Sequence, residues 1–89
     1  MALIVQKYGG TSVGSIARIK NVAQRIAKTK KEGHDLVVVV SAMSGETDRL
    51  LSLAKSIQDP PLARELDVVL STGEQVTIGL MAMMLQKLE

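Results

Sequence analysis

Cysteine, tryptophan and phenylalanine are absent from this 89-residue chain, which holds one tyrosine and one histidine. Without cysteine there is no disulfide scaffold and no thiolate metal site. His34 stands alone beside Gly33 in a turn-forming context, and a single imidazole with no second His or Cys makes a poor metal site. No protein-held metal is expected. With Tyr8 the only aromatic residue, any core must be built from Leu, Val, Ile, Met and Ala, as is usual in parallel α/β layers. No uninterrupted apolar run approaches the roughly 18 residues that span a bilayer, and the N-terminus lacks a signal-peptide apolar region. A cytoplasmic protein without a membrane partner is the expectation.

Excess charge is lacking too. Lys and Arg number 11 against 9 Asp and Glu, a formal charge of +2, which gives no strong long-range field and points to no nucleic-acid partner. The cations cluster between Arg18 and Lys31, with Lys28, Lys30 and Lys31 near a helix end where positive charge suits the dipole. No aromatic stacking platform accompanies them, so the cluster reads as a solvated helix face. A chain this short makes at most one small domain and buries a modest fraction of its surface, which predicts weak independent stability.

What is present alternates between strand and helix patterns. Ala2 to Gln6 is a short apolar run and reads as a strand. From Ser15 the apolar residues Ile16, Ile19, Val22, Ala23, Ile26 and Ala27 recur at helical spacing, and Gly33 closes that segment. Leu36 to Val40 is a continuous run rich in β-branched residues, expected to be a strand buried on both faces. The three form a β-α-β unit with parallel strands. Leu50 to Ile57 marks a second helix, stopped by Asp59-Pro60-Pro61. Leu62 to Leu70 reads as a third, Ser71-Thr72-Gly73 as an interruption, and Val76 to Leu88 as a further helical stripe. Met81, Met83 and Met84 read as core or subunit-contact residues. Two strands cannot hide the apolar faces of so many helices, so the expectation is the opening portion of a larger α/β domain.

The chemistry sits in the connections. Lys7-Tyr8-Gly9-Gly10-Thr11-Ser12-Val13-Gly14 follows the first strand and precedes the first helix. Unpaired amides and the positive dipole end of a helix attract anions, and glycines let a phosphate approach closely. Lys7 adds a full charge, while Thr11 and Ser12 can cap the helix or donate to phosphate oxygens. The order of residues is neither a Walker A loop nor a Rossmann fingerprint. A plain strand-to-helix turn, with Lys7 solvated and Thr11 a cap, is the alternative. Ser41-Ala42-Met43-Ser44-Gly45-Glu46-Thr47-Asp48 leaves the carboxyl end of the second strand, where open parallel sheets bind ligands.

Together with Ser71-Thr72-Gly73-Glu74-Gln75, these blocks resemble the aspartate kinase family, within the amino-acid kinase superfamily. The resemblance runs over residues 1–89 and matches the first part of a much longer family sequence. It implies the start of a three-layer αβα catalytic domain with a mainly parallel sheet, and ATP- and Mg²⁺-dependent phosphorylation of the side-chain carboxylate of L-aspartate, in lysine, threonine and methionine biosynthesis. A carboxylate nucleophile, with a reference pKa of about 3.9, needs no general base. Phosphoryl transfer needs positive charge, backbone donors and a divalent cation. By resemblance, Lys7 is catalytic and Lys7, Tyr8, Gly9, Gly10, Thr11 and Ser12 hold the ATP phosphates. Ser41, Gly45 and Thr47 contact aspartate, and Glu74 takes its α-ammonium group. From the residues alone, Ser41 can equally end a strand, Thr47 cap a helix and Glu74 favour a helix start.

The resemblance also implies a downstream part supplying the rest of the nucleotide pocket, a later Lys and Asp, an arginine for the α-carboxylate, and regulatory domains. A homo-oligomeric full-length protein is expected, and no turnover from the 89 residues alone. Two other readings stay open: a sister kinase acting on glutamate or acetylglutamate, and a non-catalytic fragment.

Overall fold

A computed structural model describes residues 2–88. Strand β1 (Leu3–Tyr8) is followed by helix α1 (Ile16–Lys31), strand β2 (Asp35–Val40), helix α2 (Glu46–Ile57) and helix α3 (Ala63–Leu88). The two strands pair in parallel, with Leu3 opposite Asp35 and Tyr8 opposite Val40. The expected β-α-β unit is present, and its first strand runs two residues beyond Gln6, taking in Lys7 and Tyr8.

Each end of α1 has a local cause. Ser15, in extended conformation, caps the helix by accepting the Arg18 N–H on its Oγ at 3.2 Å. The cap is therefore Ser15 rather than Thr11 or Ser12. At the other end Gly33 takes φ +93° and donates its N–H to the Lys30 carbonyl, a left-handed stop that a side chain would resist. Between them Ile19, Val22, Ala23 and Ile26 are buried at helical spacing, and with Val13 and Met81 they form the core, flanked by Tyr8, Leu36, Val38 and Val40 from the sheet.

The sheet is covered on one face only among the described residues. Leu3 and Val5 remain 70% and 64% exposed, Val37 and Val39 47% and 44%. β2 was expected to be buried on both faces, but its burial alternates along the strand. Both covering helices, α1 and α3, lie on the Ile4, Tyr8, Val38 and Val40 side.

α3 corrects a second expectation. The anticipated break at Ser71-Thr72-Gly73 lies inside one 26-residue helix. Ser71 Oγ and Thr72 Oγ1 donate back to the carbonyls of Val68 and Val69 at 2.8 and 2.7 Å, so the hydroxyls are satisfied within the helix rather than competing with it. Gly73 is buried because α2 and the residues after β2 press on it: a Cβ there would stand 3.1 Å from Ala42 Cβ and 3.3 Å from Leu50 Cδ1. Glycine is used here for close approach. One consequence is that α3 reaches the length and mean hydropathy, 1.4 over 18 residues, of a helix able to cross a membrane, although Ser71-Thr72-Gly73 hides this in the sequence. α3 packs along α1 and α2. Of its methionines, Met81 is in the core and Met84 beside it, whereas Met83 is exposed.

Candidate active site

Two loops leave the carboxyl ends of the paired strands side by side. Tyr8 ends β1 and its carbonyl accepts the Ser41 N–H at 3.1 Å, so the two chain segments exit together. The first loop then folds into consecutive turns. Ser12 N–H donates to the Gly9 carbonyl at 3.1 Å and Gly14 N–H to the Thr11 carbonyl at 3.3 Å. Val13 anchors it, its side chain fully buried in the core. Among the described residues the amides of Gly10, Thr11 and Val13 have no hydrogen-bond partner, and neither do the hydroxyls of Thr11, Ser12, Ser41, Ser44 and Thr47. A cluster of spare donors beside a glycine turn is what an anion requires.

Gly10 is where the loops touch. A Cβ on it would lie 3.0 Å from the Ala42 carbonyl oxygen and 3.5 Å from the Ser44 nitrogen, both backbone atoms. Around Gly9, by contrast, nothing lies within 4 Å of a Cβ position. Gly14 completes the contact, its Cβ position 3.4 Å from Ser44 Cβ. Through Ala42 the contact continues to Gly73 on α3, which brings the third block against the second.

The site residues expected from the sequence divide accordingly. Gly9, Gly10, Thr11 and Ser12 form one loop, and Ser41 and Gly45 flank the other. Lys7 is exposed on the open face of the sheet, in register with Val39. Tyr8 turns its ring to the covered face, packing beside the core with its hydroxyl donating to Gln6 Oε1 at 3.2 Å, so only its backbone faces the loops. Thr47 does not cap α2. Gly45 occupies the cap position at φ +83°, and Thr47 is exposed in the first turn. Glu74 follows Gly73 within α3, exposed, and does not begin a helix as its sequence context suggested.

Some of this geometry had no assigned role in the sequence. Arg49 binds Glu46 through two hydrogen bonds, of 2.7 and 3.2 Å, and this bond to the guanidinium holds the Glu46 carboxyl below its usual value. The i,i+3 spacing of the two was the readable signal. The Arg18 guanidinium donates to the Thr11 carbonyl at 2.9 Å, a loop-to-helix bond that no spacing rule announces. Among the described residues no three His, Asp or Glu side chains gather to hold a metal ion.

The family model described as "Amino acid kinase family" matches residues 2–89. The chain belongs to the amino acid kinase family. Its similarity within that family is to aspartate kinases. It is 67% identical over 87 residues to an aspartate kinase of Pseudomonas putida, and 60% identical over 87 residues to aspartokinase 2 of Bacillus subtilis. Each match covers 98% of this chain and 21% of the relative. A crystal structure of aspartate kinase from Synechocystis superposes with a TM-score of 0.96 at 56% identity, covering 98% of this chain and 15% of that one. The chain thus spans about a fifth of the length of the curated relatives it matches. The α/β architecture with a parallel sheet is that of the start of an aspartate kinase domain.

Proposed function

We propose that residues 1–89 are the N-terminal part of the catalytic domain of an ATP-dependent aspartate kinase, a soluble cytoplasmic homo-oligomer in full length, and that they carry one wall of its active site. The observation behind this reading is the juxtaposition at Gly10: a loop with three unpartnered amides lies against a second loop rich in free hydroxyls, at the carboxyl ends of parallel strands. The first suits the phosphates of ATP, with Lys7 supplying charge at the transferred phosphoryl group. The second, with Ser41, Gly45 and Thr47, suits the acceptor amino acid, and Glu74 suits an ammonium group.

The reaction is the attack of the aspartate side-chain carboxylate on the γ-phosphorus, with ADP leaving. An ionised carboxylate needs no base, so this part of the site has to position reactants and neutralise charge. Mg²⁺ finds no cluster of three carboxylate or imidazole ligands among the described residues. The open sheet face is suited to a third layer formed by residues outside 1–89, and the remaining substrate contacts belong there too.

The test uses the full-length protein that carries this segment, with acyl phosphate trapped by hydroxylamine. Lys7→Ala is expected to lower kcat by roughly a hundredfold or more, the scale of removing one charge-stabilising donor. Aspartate is expected to outperform glutamate and acetylglutamate as acceptor, and the 89 residues alone to give no product. Wild-type turnover by Lys7→Ala would refute the assignment.

A further inference from the structure

We propose that Arg18 is a positioning residue for the glycine-rich loop, holding the turn that leaves the Gly10, Thr11 and Val13 amides free for the phosphate oxygens of a nucleotide. The inference rests on reading that loop as the phosphate site.

Arg18 is fastened to the loop's exit twice. Its backbone N–H is the donor that Ser15 caps, at 3.2 Å, and its Nη1 reaches back to the Thr11 carbonyl at 2.9 Å. The other donor to that carbonyl, Gly14 N–H, is at 3.3 Å, so the charged donor makes the shorter bond, as charge-assisted hydrogen bonds do. The Thr11 C=O and the Ser12 N–H lie on opposite edges of one planar peptide. Ser12 N–H closes the turn onto the Gly9 carbonyl at 3.1 Å. Arg18 therefore grips one edge of this peptide while the turn grips the other. Rotation of the plane would break both bonds and swing a carbonyl toward an approaching anion.

Gly9 leaves the start of the loop free to turn, with no neighbour within 4 Å of a Cβ position, so the peptide is held by the Arg18 and Gly14 donors on its carbonyl and the Ser12 turn on its amide. Among the described residues nothing competes for the guanidinium either: α1 contains no Asp or Glu, no ion pair there involves Arg18, and the shallow cavity of about 330 Å³ that it lines with Ser12, Asn21, Val22 and Arg25 has no carboxylate in its lining. Arg18 is exposed, so its role is separable from the core.

The experiment compares Arg18→Ala, Arg18→Lys and Lys7→Ala in the full-length protein, reading the ATP dissociation constant by calorimetry, the KM for aspartate, kcat and the melting temperature. Arg18→Ala is expected to weaken ATP binding roughly fivefold, the scale of one hydrogen bond, with the aspartate KM and the melting temperature unchanged. Arg18→Lys, which retains one donor, is expected to recover part of the loss. An unchanged ATP affinity in Arg18→Ala overturns the proposal, as does an equal loss for ATP and aspartate, or a fall in kcat alone. If Arg18→Ala is silent while Lys7→Ala loses ATP affinity or turnover, only the role of Arg18 fails. If both are silent, the phosphate-site reading fails with it.

Discussion

Replacing Gly73 and Gly79 by alanine, two glycines in one helix, should shift stability in opposite directions. In a helix interior glycine costs about 1 kcal/mol relative to alanine, and both lie within α3. At Gly79 a Cβ would meet nothing within 4 Å, so Gly79→Ala should gain most of that amount. At Gly73 the added methyl would stand 3.1 Å from Ala42 Cβ and 3.3 Å from Leu50 Cδ1, inside the usual carbon contact of roughly 3.5–4.0 Å. Leu50 can rotate its methyl away. Ala42 cannot, since its Cβ moves only with the backbone, and the neighbouring Ser41 is hydrogen-bonded to Tyr8. Overpacking of this kind costs about 1–3 kcal/mol, which exceeds the propensity gain and leaves Gly73→Ala destabilised by about 1 kcal/mol. For a domain of 150–250 residues that is a drop of about 2–4 °C in Tm, with a similar rise for Gly79→Ala. Calorimetric scans of the two variants in the full-length protein decide the matter. A Gly73→Ala protein that melts at or above Gly79→Ala would refute the close-approach account of α3.

Two further outcomes follow from the site. Gly10→Ala should weaken ATP binding by roughly tenfold or more, since a Cβ 3.0 Å from the Ala42 carbonyl must push the two loops apart. Gly9→Ala, with open space around it, should fold as well as the parent, and parental ATP affinity in Gly10→Ala would refute the contact. Glu46, held below its usual 4.5 by the bond to Arg49, contributes stability that is present above that pH and is lost as pH falls through its lower folded value. In Arg49→Ala the Glu46 carboxyl should titrate nearer 4.5 by NMR, and an unmoved titration would sink the pair.

Most of the local structure was legible because it rests on local causes. The helical spacing from Ile16 to Ala27, the Gly33 stop and the β-branched run before Ser41 each act within a turn or a strand. The two loops were legible as connections, since glycines and hydroxyl residues between strand and helix interrupt both periodicities. Reading failed where one segment's conformation answered to another. Ser71-Thr72-Gly73 carries the composition of a break, yet the hydroxyls bond back into α3 and the glycine admits Ala42 and Leu50. Val37 and Val39 carry the composition of a strand covered on both faces, yet within the described residues α1 and α3 both lie on the other side, which no residue of β2 announces. Tyr8, adjacent to Lys7 in the motif, faces the core because successive strand residues point to opposite faces.

By itself, then, the amino-acid order determined the parallel β-α-β unit, the glycine-rich loop after β1 and the polar loop after β2, because period, cap and turn are properties of neighbouring residues. Tertiary structure alone decided that the loops meet at Gly10, that Gly73 seats the third block against the second, and that Arg18 reaches Thr11. The first two contacts join residues about thirty apart along the chain and the third spans seven, and no pattern within either segment specifies how closely the other will approach.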